Sequence, residues 1–441
     1  MKNKIGIGIA GLGTVGEGFL RQLKKYKTNN KKISNFELIS IAVKNIRKKR
    51  SISSKNLPLI DDTLSLATNP DISIVIELIG GSSGVAYKLV KKSLMNGKSV
   101  ITANKALLAI HGNELIKIAE KNKCFISFEA AIAGGIPVVK AIRENLKFNE
   151  ITKVYGILNG TCNYILTKME TEGKDFNSVL KEAQNLGFAE LDPSFDIKGI
   201  DAAHKITLLS SLAFNVPVNF SSTYIEGIQN IDIDDFNLVR EFGYKIKLLG
   251  IAKKKGNFYE QRVHPCLIRN ESEIAKVNNE LNAVVIEDKV IGKTTLIGPG
   301  AGANPTGAAV SADLIDYSRK NFNFPLGMPI NIVQKLKNLK ISDSNFSYYL
   351  RIIGKDEVGV MGRITGILAR NKISIDEQKQ QHYKKRGYAS IVIITHNVRE
   401  KVMLKAIKEI NNMKRINNKV KFIRIEKNLW AISVKNTQLE F

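Results

Sequence analysis

A short apolar segment, residues 4–10, runs straight into Gly11-Leu12-Gly13-Thr14-Val15-Gly16, and a helical pattern over 15–26 follows at once. Few folds accept glycines at that spacing between a strand and a helix. Gly11 permits a tight turn, Gly13 lets the backbone approach a pyrophosphate, and Gly16 lets helix and strand pack closely. The helix start then offers free N–H groups and the positive end of its dipole to phosphates. Alone the motif would be a flexible glycine turn. Its place between a strand and a helix makes it a dinucleotide-binding loop, with Thr14 and Val15 in the cofactor set.

The alternation continues after the loop. Apolar strands at 36–43, 72–79, 99–102 and 125–129 alternate with helices at 62–67, 86–96 and 112–121. Near-continuous apolar strands between helices predict a parallel sheet covered on both faces. This domain is assigned to 1–137 and completed at about 300–325, where the glycine-rich 298–307 leads into a helix at 308–318. Beyond Pro137 the texture changes. Strands at 151–158, 247–253, 261–267 and 281–287 mix with helices at 163–172 and 200–212, which predicts an α+β substrate and dimerisation domain over 138–299. Polar residues with prolines and asparagines mark 326–346 as a linker. Residues 347–427 read strand (348–353), helix (360–371), strand (373–381), strand (389–395), helix (398–412), strand (420–425), and 428–441 form a tail. That βαββαβ order is a ferredoxin-like unit. The fold class is α/β, with a Rossmann-type dinucleotide-binding domain, an α+β domain and a C-terminal ferredoxin-like module.

Bulk properties limit the alternatives. A chain of 441 residues exceeds a single core. No apolar run approaches the roughly 20 residues of a membrane-spanning helix. Residues 1–10 superficially resemble a secretion signal, but glycines interrupt them and they lead into the nucleotide loop, so they read as the first strand. Cys124, Cys162 and Cys266 are odd in number and far apart, as expected for reduced thiols in the cytoplasm. The net charge of +26 comes from scattered lysines without a nucleic-acid-reading motif. It implies a field that favours anionic substrates and cofactors, with no nucleic-acid or membrane partner.

The chemistry-bearing residues cluster in three places. After the second strand the chain reads Val43-Lys44-Asn45-Ile46-Arg47, without the acid that usually takes the ribose hydroxyls of NAD. Lys44 and Arg47 suit a 2′-phosphate instead, which favours NADP(H) and leaves NAD(H) open. Thr102-Ala103-Asn104-Lys105 follows a strand of the nucleotide domain, at the end where ligands bind. Lys105 there faces the nicotinamide or the reacting carbonyl, and Ala103 and Gly80 join the cofactor set. The third cluster is acidic. Glu190, Asp192 and Asp196 precede Asp201 and Lys205, which lie four apart on one helix face. Taken alone, such a pair is an ordinary surface ion pair. The acidic turn before it, and the apolar helix after it, argue for a pocket. Hydride transfer to an aldehyde leaves a developing alkoxide that needs a proton donor, and a lysine held by carboxylates suits that task. His204, beside Lys205, points about 100° away on the helix and reads as packing. No histidine shows ligand spacing for a transition metal.

These blocks, with Glu77-Leu78-Ile79-Gly80-Gly81 and Gly160-Thr161-Cys162-Asn163-Tyr164, resemble the homoserine dehydrogenase family, in order from about residue 5 to 326. The resemblance implies reversible reduction of L-aspartate 4-semialdehyde to L-homoserine with NAD(P)H. Such a zwitterionic substrate needs acids for its ammonium, which Glu190, Asp192, Asp196 and Asp201 offer, and partners for its carboxylate, which Lys105 and N–H groups near Gly80 offer. It implies Lys205 as proton donor, Lys105 near substrate and nicotinamide, Glu190 and Asp201 on the substrate, and Gly187 and Gly302 on the cofactor. It also implies a monovalent-cation site, sodium by expectation, in which Glu129 gives a carboxylate and Ile132, Gly134 and Ile136 give carbonyls. Residues 349–366 resemble the opening of an ACT domain, an amino-acid-sensing module. There Asp356, Gly359 and Val360 precede a helix whose N-terminus suits a ligand's carboxylate. The expected effector is L-threonine, and the expected assembly a homodimer or homotetramer. The competing readings are another semialdehyde dehydrogenase, a purely structural C-terminal module, and a cofactor-binding regulator without catalysis. The last predicts a broken lysine and acid set, whereas Lys105, Glu190, Asp201 and Lys205 are all present. No kinase-sized segment precedes Gly11, which argues against fusion to an aspartate kinase.

Overall fold

A computed structural model describes residues 4–29, 35–53 and 56–427. The chain opens with β1 (Ile5–Ala10), α1 (Thr14–Asn29), β2 (Phe36–Ala42), β3 (Leu59–Ile60), β4 (Ile74–Glu77), α2 (Val85–Met95), β5 (Ser99–Thr102), α3 (Lys105–Lys121) and β6 (Ile126–Ser127). The six strands form one parallel sheet in the order β3-β2-β1-β4-β5-β6. The apolar runs sit in β1, β4 and β5, where both faces are covered, and every residue of β4 and β5 is buried. β1 lies between β2 and β4, so the glycine loop emerges where strand order reverses, the position at which such sheets bind ligands.

Two short helical turns, α4 (Glu129–Ile132) and α5 (Val138–Lys140), lead into the second part. It comprises β7 (Ile151–Ile157), α6 (Gly160–Glu172), α7 (Phe176–Asn185), α8 (Ser194–Ile197), α9 (Ile200–Phe214), β8 (Tyr224–Ile225), α10 (Ile233–Glu241), β9 (Tyr244–Lys255), β10 (Phe258–Arg269), β11 (Leu281–Asp288) and β12 (Gly292–Pro299). β12, β11, β7, β9 and β10 form an antiparallel run. α9 lies across it, with thirteen of its fifteen residues buried. α11 (Ala303–Ser318) then returns the chain to the first sheet and packs on α1. The contact has no spare room, since a Cβ on Gly18 would stand 2.0 Å from the Ala303 carbonyl oxygen.

The last part adds β13 (Lys337–Asn338), β14 (Asn345–Lys355), α12 (Val360–Arg370), β15 (Ile375–His382), β16 (Tyr388–Thr395), β17 (Val398–Arg399), α13 (Glu400–Asn411) and β18 (Ile416–Ile425). Its strand order β18-β14-β16-β15 is the ferredoxin-like one, and both helices pack on one face in a separate core. This module is not an isolated bead. β18 pairs in parallel with β10 at Cys266–Arg424 and Leu267–Ile425, so the two antiparallel sheets become one. Tyr349, Val392, Ile394, Ile423 and Ile425 share the core of the second part.

The structure departs from the expected elements in four places. α3 starts at Lys105, seven residues before the expected 112, because Asn104 caps it by accepting the Leu107 N–H at 3.0 Å. Gly112, the expected start, packs inside the helix, where a Cβ would meet Val218 at 3.4 Å. β12 has no strong apolar alternation, yet it pairs with β11 along its whole length. The segment expected as a linker lies on the second sheet: Leu326 and Ile330 are buried and β13 pairs with β10. The last helix starts at Glu400 rather than 398, because Val398 and Arg399 pair with β14. The expected tail, 428–441, lies outside the described residues. No helix among the described residues is long and apolar enough to cross a membrane. Gly18→Val should destabilise the first domain by about 3 kcal/mol by forcing α1 off α11. A lower urea midpoint would show this, and an unchanged midpoint would contradict the close contact.

Candidate active site

The glycine loop divides its labour as the spacing demands. A Cβ on Gly11, which stands at φ +99°, would lie 2.7 Å from the Leu78 carbonyl oxygen, and one on Gly16 would lie 2.6 Å from the Gly11 carbonyl oxygen. A Cβ on Gly13 meets nothing within 4 Å. Gly13 therefore faces an open cleft at the start of α1, where Thr14 and Val15 present the helix N-terminus. Gly302, at φ +115°, precedes α11, whose first residue, Ala303, lines the same cleft as Gly13 and Thr14. A dinucleotide fits this cradle, with its pyrophosphate against Gly13 and the start of α1.

The basic loop after β2 closes one end of the cleft. Lys44 and Arg47 project into solvent, and the groups that line the cleft beside Gly13 and Thr14 are Arg21, Lys48, Lys49 and Arg50. Arg50 folds the loop by donating to the carbonyls of Asn45 at 2.8 Å and Lys48 at 2.9 Å. Glu17 fastens it to α1 by accepting from the Ser51 amide at 3.1 Å and from its hydroxyl. The signal in the sequence is the whole run of cations from 44 to 50, and Lys44 and Arg47 are only its first two members.

Ala103 leaves the end of β5, with its N–H on the Glu77 carbonyl at 3.2 Å. Glu77 is fully buried and accepts from Ile79 N–H at 2.8 Å, Gly80 N–H at 3.2 Å and Thr102 Oγ1 at 2.6 Å. This corrects one expectation, because the Gly80 N–H turns to Glu77 and is not free for a substrate carboxylate. Asn104 reaches the Gly81 carbonyl at 2.7 Å, which leaves Lys105 at the mouth of the helix.

Lys105 and Lys205 meet on one carboxylate. Asp201 Oδ1 lies 3.1 Å from Lys105 Nζ, and Oδ2 lies 2.9 Å from Lys205 Nζ. Burial opposes the charge on Asp201, but the two ammonium groups overcome it and hold the carboxyl well below its ordinary range. The Asp201 charge raises Lys105 in turn, against the cost of burial. Lys205 also donates to the Leu158 carbonyl at 2.7 Å. An ammonium has three donors, so one N–H of Lys205 remains for a ligand. Asn159, which carries no motif signal in the sequence, orders the site. Its Oδ1 caps α6 through the Cys162 N–H at 2.8 Å, while its Nδ2 donates to Asp196 Oδ1 at 2.7 Å and Asp201 Oδ2 at 2.9 Å.

The remaining acids differ in exposure. Asp196 is half-buried on α8, and burial together with the Asp201 charge raises its carboxyl. Glu190 and Asp192 are exposed on the loop after α7, which begins at Gly187 with φ +78°. Thr161 ties that loop to α6 by donating to the Phe188 carbonyl at 2.7 Å. His204 packs between the rings of Phe195 and Phe220, at 5.4 and 4.4 Å, and belongs to no cluster of metal-ligating side chains among the described residues.

Glu129 is buried below the cleft and accepts from the N–H groups of Val139 and Lys140, both at 2.9 Å. Burial and the neighbouring Asp313 push its carboxyl up to about 7, and Asp313 Oδ1 has no hydrogen-bond partner among the described residues, with Lys140 Nζ 3.9 Å away. Ile132 ends α4, Gly134 turns the chain at φ +56°, and the Ile136 carbonyl accepts the Val138 N–H at 2.8 Å. Two buried carboxylates beside main-chain carbonyls are an oxygen-rich set that fits a hard cation.

The chain matches the homoserine dehydrogenase NAD-binding domain over residues 11–129 and the homoserine dehydrogenase catalytic family over 137–315. Residues 350–416 match an acetohydroxyacid-synthase-small-subunit-like ACT domain. A homoserine dehydrogenase of Neisseria gonorrhoeae is 41% identical over 96% of this chain and 98% of its own, and one of Helicobacter pylori is 42% identical over 97% and 100%. The crystal structure of a homoserine dehydrogenase from Thiobacillus denitrificans superposes with a TM-score of 0.91 at 40% identity, over 96% of this chain and 99% of its own. A hyperthermophilic archaeal homoserine dehydrogenase in complex with NADPH superposes with a TM-score of 0.62 at 27% identity, over 72% of this chain and 98% of its own.

Burial pushes His204 down to about 4. Between pH 6.5 and 4 the unfolded chain therefore binds a proton that the native site refuses, and stability falls as the pH is lowered through that window. His204→Phe should remove this share, narrowing the loss between pH 7.5 and pH 5 by about 2 kcal/mol in denaturant titrations. An unchanged loss would place the acid sensitivity elsewhere.

Proposed function

Because the chain belongs to the homoserine dehydrogenase family, we propose that it interconverts L-aspartate 4-semialdehyde and L-homoserine with a nicotinamide cofactor. The observation that carries this is the Lys105–Asp201–Lys205 bridge at the cleft between the glycine-loop domain and α9. A bound nicotinamide supplies or accepts the hydride at the substrate's C4. The protein's own groups do the rest. Lys205, with two of its donors held by Asp201 and Leu158, directs the third to the carbonyl oxygen and delivers the proton during reduction. In the reverse direction the same nitrogen takes the hydroxyl proton. Lys105, partly open to the cleft, neutralises the substrate carboxylate or orients the carbonyl beside the nicotinamide. Glu190, Asp196 and Asp201 face the ammonium end. Asp201 acts mainly through the lysines, since both its oxygens are already engaged.

The same reading extends to the cofactor and the ions. Gly11, Gly13, Thr14, Val15, Gly16, Gly80, Ala103, Gly187 and Gly302 surround the cofactor. The acid-free, cationic loop from Lys44 and Arg47 to Arg50 favours NADP(H). Glu129, with the carbonyls of Ile132, Gly134 and Ile136, holds a monovalent cation, sodium by preference, which offsets the carboxylate pair. The ACT module senses L-threonine and restrains turnover. The enzyme works in the cytoplasm as a homodimer or homotetramer.

Purified protein should reduce NADP⁺ faster than NAD⁺ with L-homoserine. Lys205→Met should lower kcat about 10²- to 10⁴-fold while cofactor binding persists. A wild type inactive with both cofactors would sink the assignment, and a fully active Lys205→Met would move proton transfer to another group. Sodium chloride should raise the melting midpoint above that in tetramethylammonium chloride of equal strength, and Glu129→Gln should erase the difference. A response of activity to threonine, but not to isoleucine or methionine, would support the effector, and a flat titration would exclude it.

A further inference from the structure

Two chemically distinct ends of the molecule meet at one side chain. Arg424, near the end of β18, is buried with its aliphatic stem and guanidinium among Tyr224, Phe346 and Phe422. Its Nε and Nη2 donate to Glu400 of the same module, at 2.9 and 2.6 Å. Its Nη1 crosses to the catalytic part and donates to Glu226 Oε2 at 2.7 Å, where the Tyr224 hydroxyl also donates at 2.9 Å.

Glu226 is not an isolated anchor. Its N–H donates to the Val263 carbonyl at 2.8 Å, continuing the β8–β10 pairing. The next residues press on the acidic turn of the active site. A Cβ on Gly227 would lie 2.1 Å from the Ile197 carbonyl oxygen, and that oxygen accepts the Ile228 N–H at 2.9 Å. Gly199, the hinge at φ +80° between α8 and α9, would bring a Cβ to 3.4 Å from the Glu226 carbonyl oxygen. Asp196 lies one residue before Ile197, and Asp201 two after Gly199. The backbone of 226–228 thus packs under the α8–α9 junction, with Asp196 on one side of it and Asp201 on the other.

We propose that Arg424 of the C-terminal module is a positioning residue for the substrate end of the active site, acting through Glu226. The module then belongs to the catalytic unit: its last strand holds the backbone that packs under the α8–α9 junction. No contact between Arg424 and substrate is required, and the cofactor end, built on the other sheet, is outside its reach. The kinetic part of this inference rests on the activity proposed above, and the structural part does not.

The full-length protein is compared with Glu226→Gln, Arg424→Lys and the double variant. Hydrogen exchange over residues 194–203 should quicken about 3- to 30-fold in Glu226→Gln, with exchange in the glycine-loop sheet unchanged. The KM for L-homoserine should rise by a similar factor while the NADP⁺ KM holds, and the double variant should be no worse than the poorer single one. Unchanged exchange over 194–203 overturns the proposal, as does a loss of kcat with neither KM moved, which is the mark of a merely structural pair. If the wild type does not oxidise homoserine, the proposed activity fails and the exchange result decides the inference alone. Glu226 is partly exposed, with a side-chain exposure of 27%, so the glutamine variant tests the link even if Arg424→Lys does not fold.

Discussion

The cleft depends on one buried carboxylate. Asp201 sits on α9, which packs on the second sheet, while Lys105 opens α3, which leaves β5 of the first sheet and packs between α2 and α9. The bridge between them therefore spans two domains, and Lys205 completes it from the same helix as Asp201. Burying a carboxylate costs far more than one surface ion pair returns, so the arrangement holds only with two cations and the Asn159 amide in place. Removing one partner would leave charge without compensation in a dry site, at a cost of about 3–5 kcal/mol. The same allocation of donors leaves Lys205 one N–H beyond those held by Asp201 and Leu158. One interaction thus both ties α3 to α9 and orients Lys205.

The seam between the second sheet and the C-terminal module is also built from buried charge. Arg262 pairs with Glu426 at 2.5 Å and with Glu260. Arg351 reaches Asp235 at 2.7 Å and Asp232 at 2.6 Å on α10 and its cap. Such pairs add little net stability over apolar packing, but loss of one partner strands the other as a buried charge. The β10–β18 pairing covers two residue pairs, and these ion pairs add further ties between the module and the second sheet. His264, Cys266 and Glu426 also converge there, with ligand atoms within 4.8 Å of one another. Glu426 is already matched by Arg262 and Lys253, and the Arg262 Nε donates to His264 at 3.1 Å, so the cluster is satisfied as part of the seam.

Local signals are legible where chemistry and periodicity coincide. The strand-loop-helix of residues 5–29 and the βαββαβ order of the last part need only apolar period and glycine placement, and both read correctly. The i,i+4 spacing of Asp201 and Lys205 is enough by itself to put them on one helix face. Signals fail where tertiary packing overrides them. The helix is expected to begin only at Gly112, no element is expected over 292–297, and 326–346 is expected as a linker. Gly112 and 326–346 are fastened by partners distant in sequence, Val218 and β10, while β12 is fastened as a hairpin by the preceding β11.

By itself, the sequence determined the parts: a dinucleotide loop, a set of acids and lysines, and a βαββαβ module, while the zwitterionic substrate and the sensing role were implied by family resemblance. Those parts are encoded locally, in side-chain type and in periods of two or 3.6 residues. Only the tertiary structure decided which parts touch. It alone brought Lys105 across to Asp201, gave Asn159 its two carboxylates, turned the Gly80 amide away to Glu77, and joined β18 to β10. Those contacts link residues that are mostly tens to hundreds of positions apart, and no local pattern encodes them, because they arise when separately formed faces pack into one core.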